Sequence, residues 1–233
     1  PEELSWGIFF TINLGVYLFT LKRMGIKPTG IAIIMLSPYV FYALWHGNVD
    51  SLVLMGATLS PAWGIWLLLL KPQLSIGLSL VWFYRSYQKG WKTLLYNFGP
   101  ASAVYLGCWI LGIHPTTTPI HEPWNIQAWP WGIFPGLVLV WLAIKNKNNK
   151  LAIAASPFTS PYVGLQTWVG TLLPATGKLY LLIFGTVLGW IFVLTRWKLN
   201  FDALKYEPVL LVGWGIILIL INFRETVDLR KQS

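Results

Sequence analysis

Long apolar runs separated by short basic or proline-bearing connections dominate the chain. They fall at Ser5–Leu21, Thr29–Trp45, Leu52–Leu70, Leu74–Tyr87, Thr93–Ile113, Gly132–Ile144, Leu151–Leu173, Leu179–Thr195 and Pro208–Phe223. Runs of this kind read as helices that leave water, since about 20 apolar residues cross the hydrocarbon of a bilayer. The short alternating strands of a membrane barrel are missing. Several runs are too short to span upright, and Pro38, Pro61, Pro72, Pro100, Pro135, Pro157 and Pro161 interrupt others. Backbone groups freed at such breaks need cover from protein or a wet cavity, so broken helices mark candidate binding sites. The pattern predicts an all-α fold: a polytopic transmembrane helical bundle with broken or re-entrant helices and about 8–9 membrane segments. No long hydrophilic linker divides the chain, so residues 1–233 are expected to form a single integral membrane domain.

Composition sharpens this. Hydrophobic residues make up 55% of the 233 and charged residues only 11%, against about 25% charged in soluble domains. The mean hydropathy is +0.59. The net charge of +9 is spread in small clusters between apolar runs, which suits membrane orientation and excludes a phosphate-tracking nucleic-acid patch. Lys22/Arg23/Lys27, Arg85/Lys89/Lys92, Lys145/Lys147/Lys150 and Arg196/Lys198/Lys205 are expected on the cytoplasmic side. His46–Asp50, His114–Trp131 and Pro174–Lys178 then face outward, and Arg224, Arg230 and Lys231 fall outside as an exception. This parity requires an odd number of crossings between Trp45 and Arg85: one complete crossing plus a re-entrant element, with Lys71-Pro72 at a helix break. Cys108, the only cysteine, permits no internal disulfide or zinc cluster and reads as packing. The chain opens on "PEELSWGIFF", without Met or a basic n-region, so an upstream segment is expected.

The candidate chemistry lies where polar groups interrupt the hydrocarbon. Lys71, followed by Pro72 and Gln73, sits inside an apolar stretch. A charge at a helix centre costs about 2.5–3.5 kcal/mol on insertion scales, so it is either a functional group or a lysine that snorkels to the interface. "WHGNVD" places His46, Asn48 and Asp50 within five residues. His46 and Asp50 could do acid–base work or contribute two metal ligands, a weak metal signal alone, while Asn48 and Asp50 either cap the next helix or contact a ligand. His121-Glu122 form a second titratable pair in an outer loop bearing Trp124, Trp129 and Trp131; such tryptophans anchor at interfaces, and their faces also suit sugar rings. "SPFTSPY", Ser156–Tyr162, puts two proline breaks into one run, and Gly185–Gly189 has the spacing of close helix packing. Phosphate-binding glycine loops, nucleophile elbows, HExxH and CxxC are all missing.

Three blocks in order, "HGNVDSLVLMG", "LLLLKPQLSIGLSLVWF" and "ASPFTSPY", resemble those of polytopic GT-C-type glycosyltransferases, the polyprenyl-phosphate-mannose-dependent mannosyltransferase-like proteins. The likeness covers about three quarters of the chain and rests on the order of short motifs. It implies sugar transfer from a polyprenyl-phosphate donor to a lipid or glycan acceptor at the outer face of the cell (inner) membrane. No cofactor and no metal are implied. Partners would be membrane lipids, the donor and other membrane proteins, not nucleic acid. Lys71, Asn48, Gln73, His121, Glu122 and Tyr162 are the implied substrate-binding residues, and Asp50 and His46 the in-sequence catalytic candidates. The essential acidic residue of the architecture precedes the point matching Pro1, so the base is expected upstream and this chain is the C-terminal part of a longer protein. The family's histidine-containing third block is also absent, since "SPYVGLQTW" offers Tyr162 and Gln166 instead. The alternative is a non-catalytic membrane subunit, or a lipid-binding or transport protein of a larger assembly.

Overall fold

Proline sets where many of the helices begin. The computed structural model describes residues 2–112, 125–198 and 206–231. α1 runs Glu2–Arg23, and α2 (Pro28–Met35), α3 (Pro38–Trp45), α5 (Pro61–Leu68) and α6 (Pro72–Gln88) each start on a proline. At that position the ring's fixed φ suits the helix and the missing N–H has no intrahelical partner to lose. α4 (Asp50–Gly56) separates the second and third of these, and α7 (Trp91–Ile110), α8 (Ile133–Lys145) and α9 (Asn149–Thr159) follow. Then come a short turn of helix, α10 (Val169–Leu172), flanked by tighter turns at Leu165–Trp168 and Leu173–Gly177, and two long helices, α11 (Leu179–Lys198) and α12 (Glu207–Lys231). The described residues are helical apart from loops and one isolated bridge between Asn125 and Gly164.

Among the described residues, three helices are long and apolar enough to cross a membrane: α1, α11 and α12. α2 and α3, bent by 59° at their junction, make a fourth if taken as one broken span. Ser37 manages that bend from both sides, donating to Ile34 O at 2.6 Å and accepting from Val40 N–H at 3.4 Å. Most other apolar runs form shorter helices, such as α4 with 7 residues, α5 with 8 and α8 with 13, although α7 has 20. The chain is thus all-helical and built for a membrane.

At the centre is α9, whose residues Leu151–Phe158 are all buried. α6 and α8 pack against it through small residues. A Cβ on Gly77 would strike Ala152 O, and one on Gly136 would lie 2.6 Å from Thr159. Gly185 and Gly189 do the same on α11, where added Cβ atoms would press on Leu172 and on the Tyr39 ring at 2.7 and 2.6 Å. Small residues permit the close backbone approach that drives helix association in lipid.

Two ends of the bundle can be told apart. Arg23, Thr58 and Asn146–Lys150 line one cavity, and Arg85 reaches Asn149 at 2.9 Å, so three basic clusters share one end. Trp6 and Trp45 meet edge-on at the other, near Leu165, Trp190 and Val193. α11 starts beside α2 at the basic end, with Leu182 near Gly30, and carries Arg196 to the opposite end, where it donates to Asn125 O at 3.2 Å. This reverses the sequence expectation for the last third. Pro174–Lys178 join the basic clusters and Arg196 leaves them. α12 starts at Arg196 and returns, so the exception moves from Arg224 to Arg196. Charge counting misassigned Arg196 because its charge is neutralised locally. Glu207 clamps it with two bonds, at 2.6 and 2.9 Å, and both side chains are under one tenth exposed.

Candidate functional site

α4 and α5 form a short helical hairpin. Their backbones touch at Gly56 and Gly64, where any Cβ would collide with the facing carbonyl. Because the two helices are nearly equal in length, the first residue of α4 returns to the level of the turn between α5 and α6, which ends at Lys71. Asp50 therefore meets Lys71 across 21 residues of sequence: Lys71 Nζ donates to Asp50 Oδ2 at 2.8 Å. Asp50 is fully buried and the Lys71 side chain 12% exposed. The capping role drawn from the sequence for Asp50 does not describe this. Asp50 sits at the first turn of α4 without capping it, and it lies inside the bundle rather than in an outer loop. The buried Lys71 ammonium needs no external anion, because the chain supplies a carboxylate of its own.

The break at Lys71 is closed by its own sequence. Pro72 has no N–H to give to Leu68 O. Ser75 Oγ takes its place at 2.6 Å, with Lys71 N–H at 3.3 Å. Lys71 is held in extended backbone just before α6, with φ −150° and ψ 85°, the conformation a following proline favours. An ammonium carries three N–H donors; Asp50 takes one.

A polar face of α1 completes the surroundings. Asn13, Tyr17 and Thr20 recur at helical spacing and are all buried. Asn13 Oδ1 accepts a short hydrogen bond from Ser51 Oγ, next to Asp50, while its Nδ2 donates to Phe9 O at 3.0 Å. Tyr17 Oη, Thr20 Oγ1 and Asp50 Oδ1 are buried without a protein partner. Sequence reasoning missed Asn13, Tyr17 and Thr20. The available signal was a lone amide near the middle of an apolar helix, with polar groups four and seven positions on.

The third motif block joins through α9. Ser156 Oγ accepts from Gly77 N–H at 3.0 Å. Ser160 closes the next break by donating to Tyr162 O at 2.7 Å, and Val163 N–H donates to Asn125 Oδ1 at 2.9 Å. Tyr162 is half-buried there. Three segments, Asp50–Gly56, Lys71–Gln88 and Asn149–Thr159, are thus tied together by the Asp50–Lys71 ion pair and by the Gly77–Ser156 and Arg85–Asn149 hydrogen bonds.

The other sequence candidates are dispersed. His46 is exposed, stacked on Tyr42 with ring centroids 3.8 Å apart, and its Nδ1 lies 3.1 Å from Tyr42 O. A carbonyl can only accept, so Nδ1 carries the proton and Nε2 keeps its lone pair in the neutral ring. His46 edges a groove of about 320 Å³ walled by Phe41, Tyr42, Trp45, Leu165 and Trp190. Asn48 and Gln73 are half-buried. His121 and Glu122 lie outside the described residues. Among the described residues no group of three or more His, Cys, Asp or Glu side chains is placed to hold a metal ion. Comparison with protein-family models, curated proteins and solved structures finds no match to this chain.

Proposed function

We propose that the chain is the membrane-embedded part of a glycosyltransferase-like protein. It moves a sugar from a polyprenyl-phosphate donor to a lipid or glycan acceptor at the outer face of a cell membrane. The observation carrying this reading is the convergence of the three motif blocks on α6, through Asp50–Lys71 and Gly77–Ser156. In this proposal the Trp45 end faces outward and the basic end faces the cytoplasm, in a multi-pass arrangement. Lys71 uses donors that Asp50 leaves open to hold the departing lipid phosphate as a point charge. Asp50 is a positioning residue that fixes the ammonium. The apolar groove beside His46 suits an isoprenoid chain.

A general base must reach the proton it removes. The two carboxylates whose side chains are described, Asp50 and Glu207, are both buried against cations. In this proposal the base is supplied from elsewhere in the protein, and the same burial equally supports the second reading, a non-catalytic lipid-binding subunit. The test is transfer of labelled hexose from a polyprenyl-phosphate donor in membranes holding the full protein. Transfer abolished by substitutions at Lys71 supports the enzyme; donor binding without transfer supports the subunit.

A further inference from the structure

We infer that the cavity at the basic end of the bundle is a binding site for a phosphate ester, the headgroup of an anionic lipid. It measures about 490 Å³ and is walled by the end of α1, the α4–α5 turn and the α8–α9 connection. Arg23, Lys147 and Lys150 line it together with Thr58, Asn146 and Asn149, and no acidic side chain does. The described carboxylates are committed to Lys71 and Arg196, so none of them neutralises this cluster.

Two features of the α8–α9 connection argue for a built site. Lys147 holds φ 51°, with Asn148 N–H donating to Ala143 O at 3.0 Å, a helix ending at which glycine is the usual residue. The chain accepts a left-handed lysine there, which presents its side chain to the cavity. Lys150 is half-buried, and loss of water lowers its pKa from the ordinary lysine value. A desolvated cation of this kind gains from an anion. Asn148 Oδ1 already accepts from the N–H groups of Lys150 and Leu151, at 2.9 and 3.4 Å, so the cations rather than the helix end are left to hold the ligand. The depth is right for a lipid: the cavity opens where the apolar span of α1 ends in Lys22 and Arg23, the level at which basic pockets between helices meet headgroups. The site lies about one length of α4 from Asp50, on the order of 12 Å, and does not depend on the sugar-transfer reading.

The test is binding of dioleoyl phosphatidylglycerol, with phosphatidylcholine as the neutral control, to the full protein in mild detergent, read by native mass spectrometry. The double variant Lys147→Gln/Lys150→Gln should weaken phosphatidylglycerol binding by about 30-fold, at about fivefold per basic residue. Lys150→Arg should retain it, and Lys89→Gln/Lys92→Gln, at the same end but outside the cavity, should change it less than about threefold. Displacement by millimolar inorganic phosphate marks the phosphate group alone as what is recognised; retention against it marks the whole lipid. Equal losses in both double variants, or no preference over phosphatidylcholine, overturn the proposal.

Discussion

Removing the charge of Lys71 should unfold the site it anchors. Asp50 is fully buried, and the Lys71 ammonium at 2.8 Å is its ion-pair partner. Lys71→Met keeps the stem and leaves a carboxylate with one orphaned oxygen where it previously had a partner, beside Oδ1, which already has none. Breaking a buried pair from one side costs about 3–5 kcal/mol, because the remaining charge is stranded. Removing both charges costs far less. The variant Asp50→Asn/Lys71→Gln, which can keep an amide–amide hydrogen bond, should fall within about 1.5 kcal/mol of the wild type. The assay is a double-mutant cycle on the detergent-solubilised protein, followed by tryptophan fluorescence through a denaturant titration. A coupling near zero, with Lys71→Met costing less than about 1 kcal/mol, refutes the reasoning and returns Lys71 to a lysine that snorkels.

Other outcomes follow from the packing and the path of the chain. Gly77→Val should drive a side chain into Ala152 O and destabilise by about 3 kcal/mol or more, whereas Ser156→Ala, which removes only the added acceptor for Gly77 N–H, should cost about 1 kcal/mol; thermal unfolding of each variant checks both. In a Cys108→Ser background, cysteines at Asn148 and Thr176 should label from the same side of the membrane, and one at Trp131 from the other. Labelling of Asn148 and Thr176 from opposite sides contradicts the direction assigned to α11. Arg196→Met should cost about 3–5 kcal/mol and Arg196→Met/Glu207→Leu much less, by the same unfolding measurement.

Local features of the fold were legible and distant pairings were not. Pro72 announced a helix break and the structure places one there, because a proline's missing N–H acts within a few residues. The spacing of Gly185 and Gly189 announced close packing, which Trp214 and Tyr39 supply. That the stretch between Trp45 and Arg85 is broken was also visible, and the break takes the form of the short α4–α5 hairpin. Its consequence was not: nothing in the runs around Asp50 and Lys71 says that equal helix lengths bring them together. Arg196 misled for an electrostatic reason, since counting charges along the chain treats every arginine as free. Glu207, eleven residues on at the head of the next apolar run, was the available correction. At the site, Lys71 stood out because a charge in hydrocarbon is conspicuous, whereas Asn13 and Tyr17 are polar only in part and hide in an apolar helix.

The central claim is that Lys71 receives a lipid phosphate while Asp50 holds it in place. Its most direct test is the affinity of a polyprenyl phosphate for the full protein, measured on wild type and on Asp50→Asn/Lys71→Gln, which preserves the fold and removes the cation. The account predicts saturable binding by the wild type and a loss of at least about tenfold in the variant. Equal affinity in both, or no binding by the wild type, contradicts it.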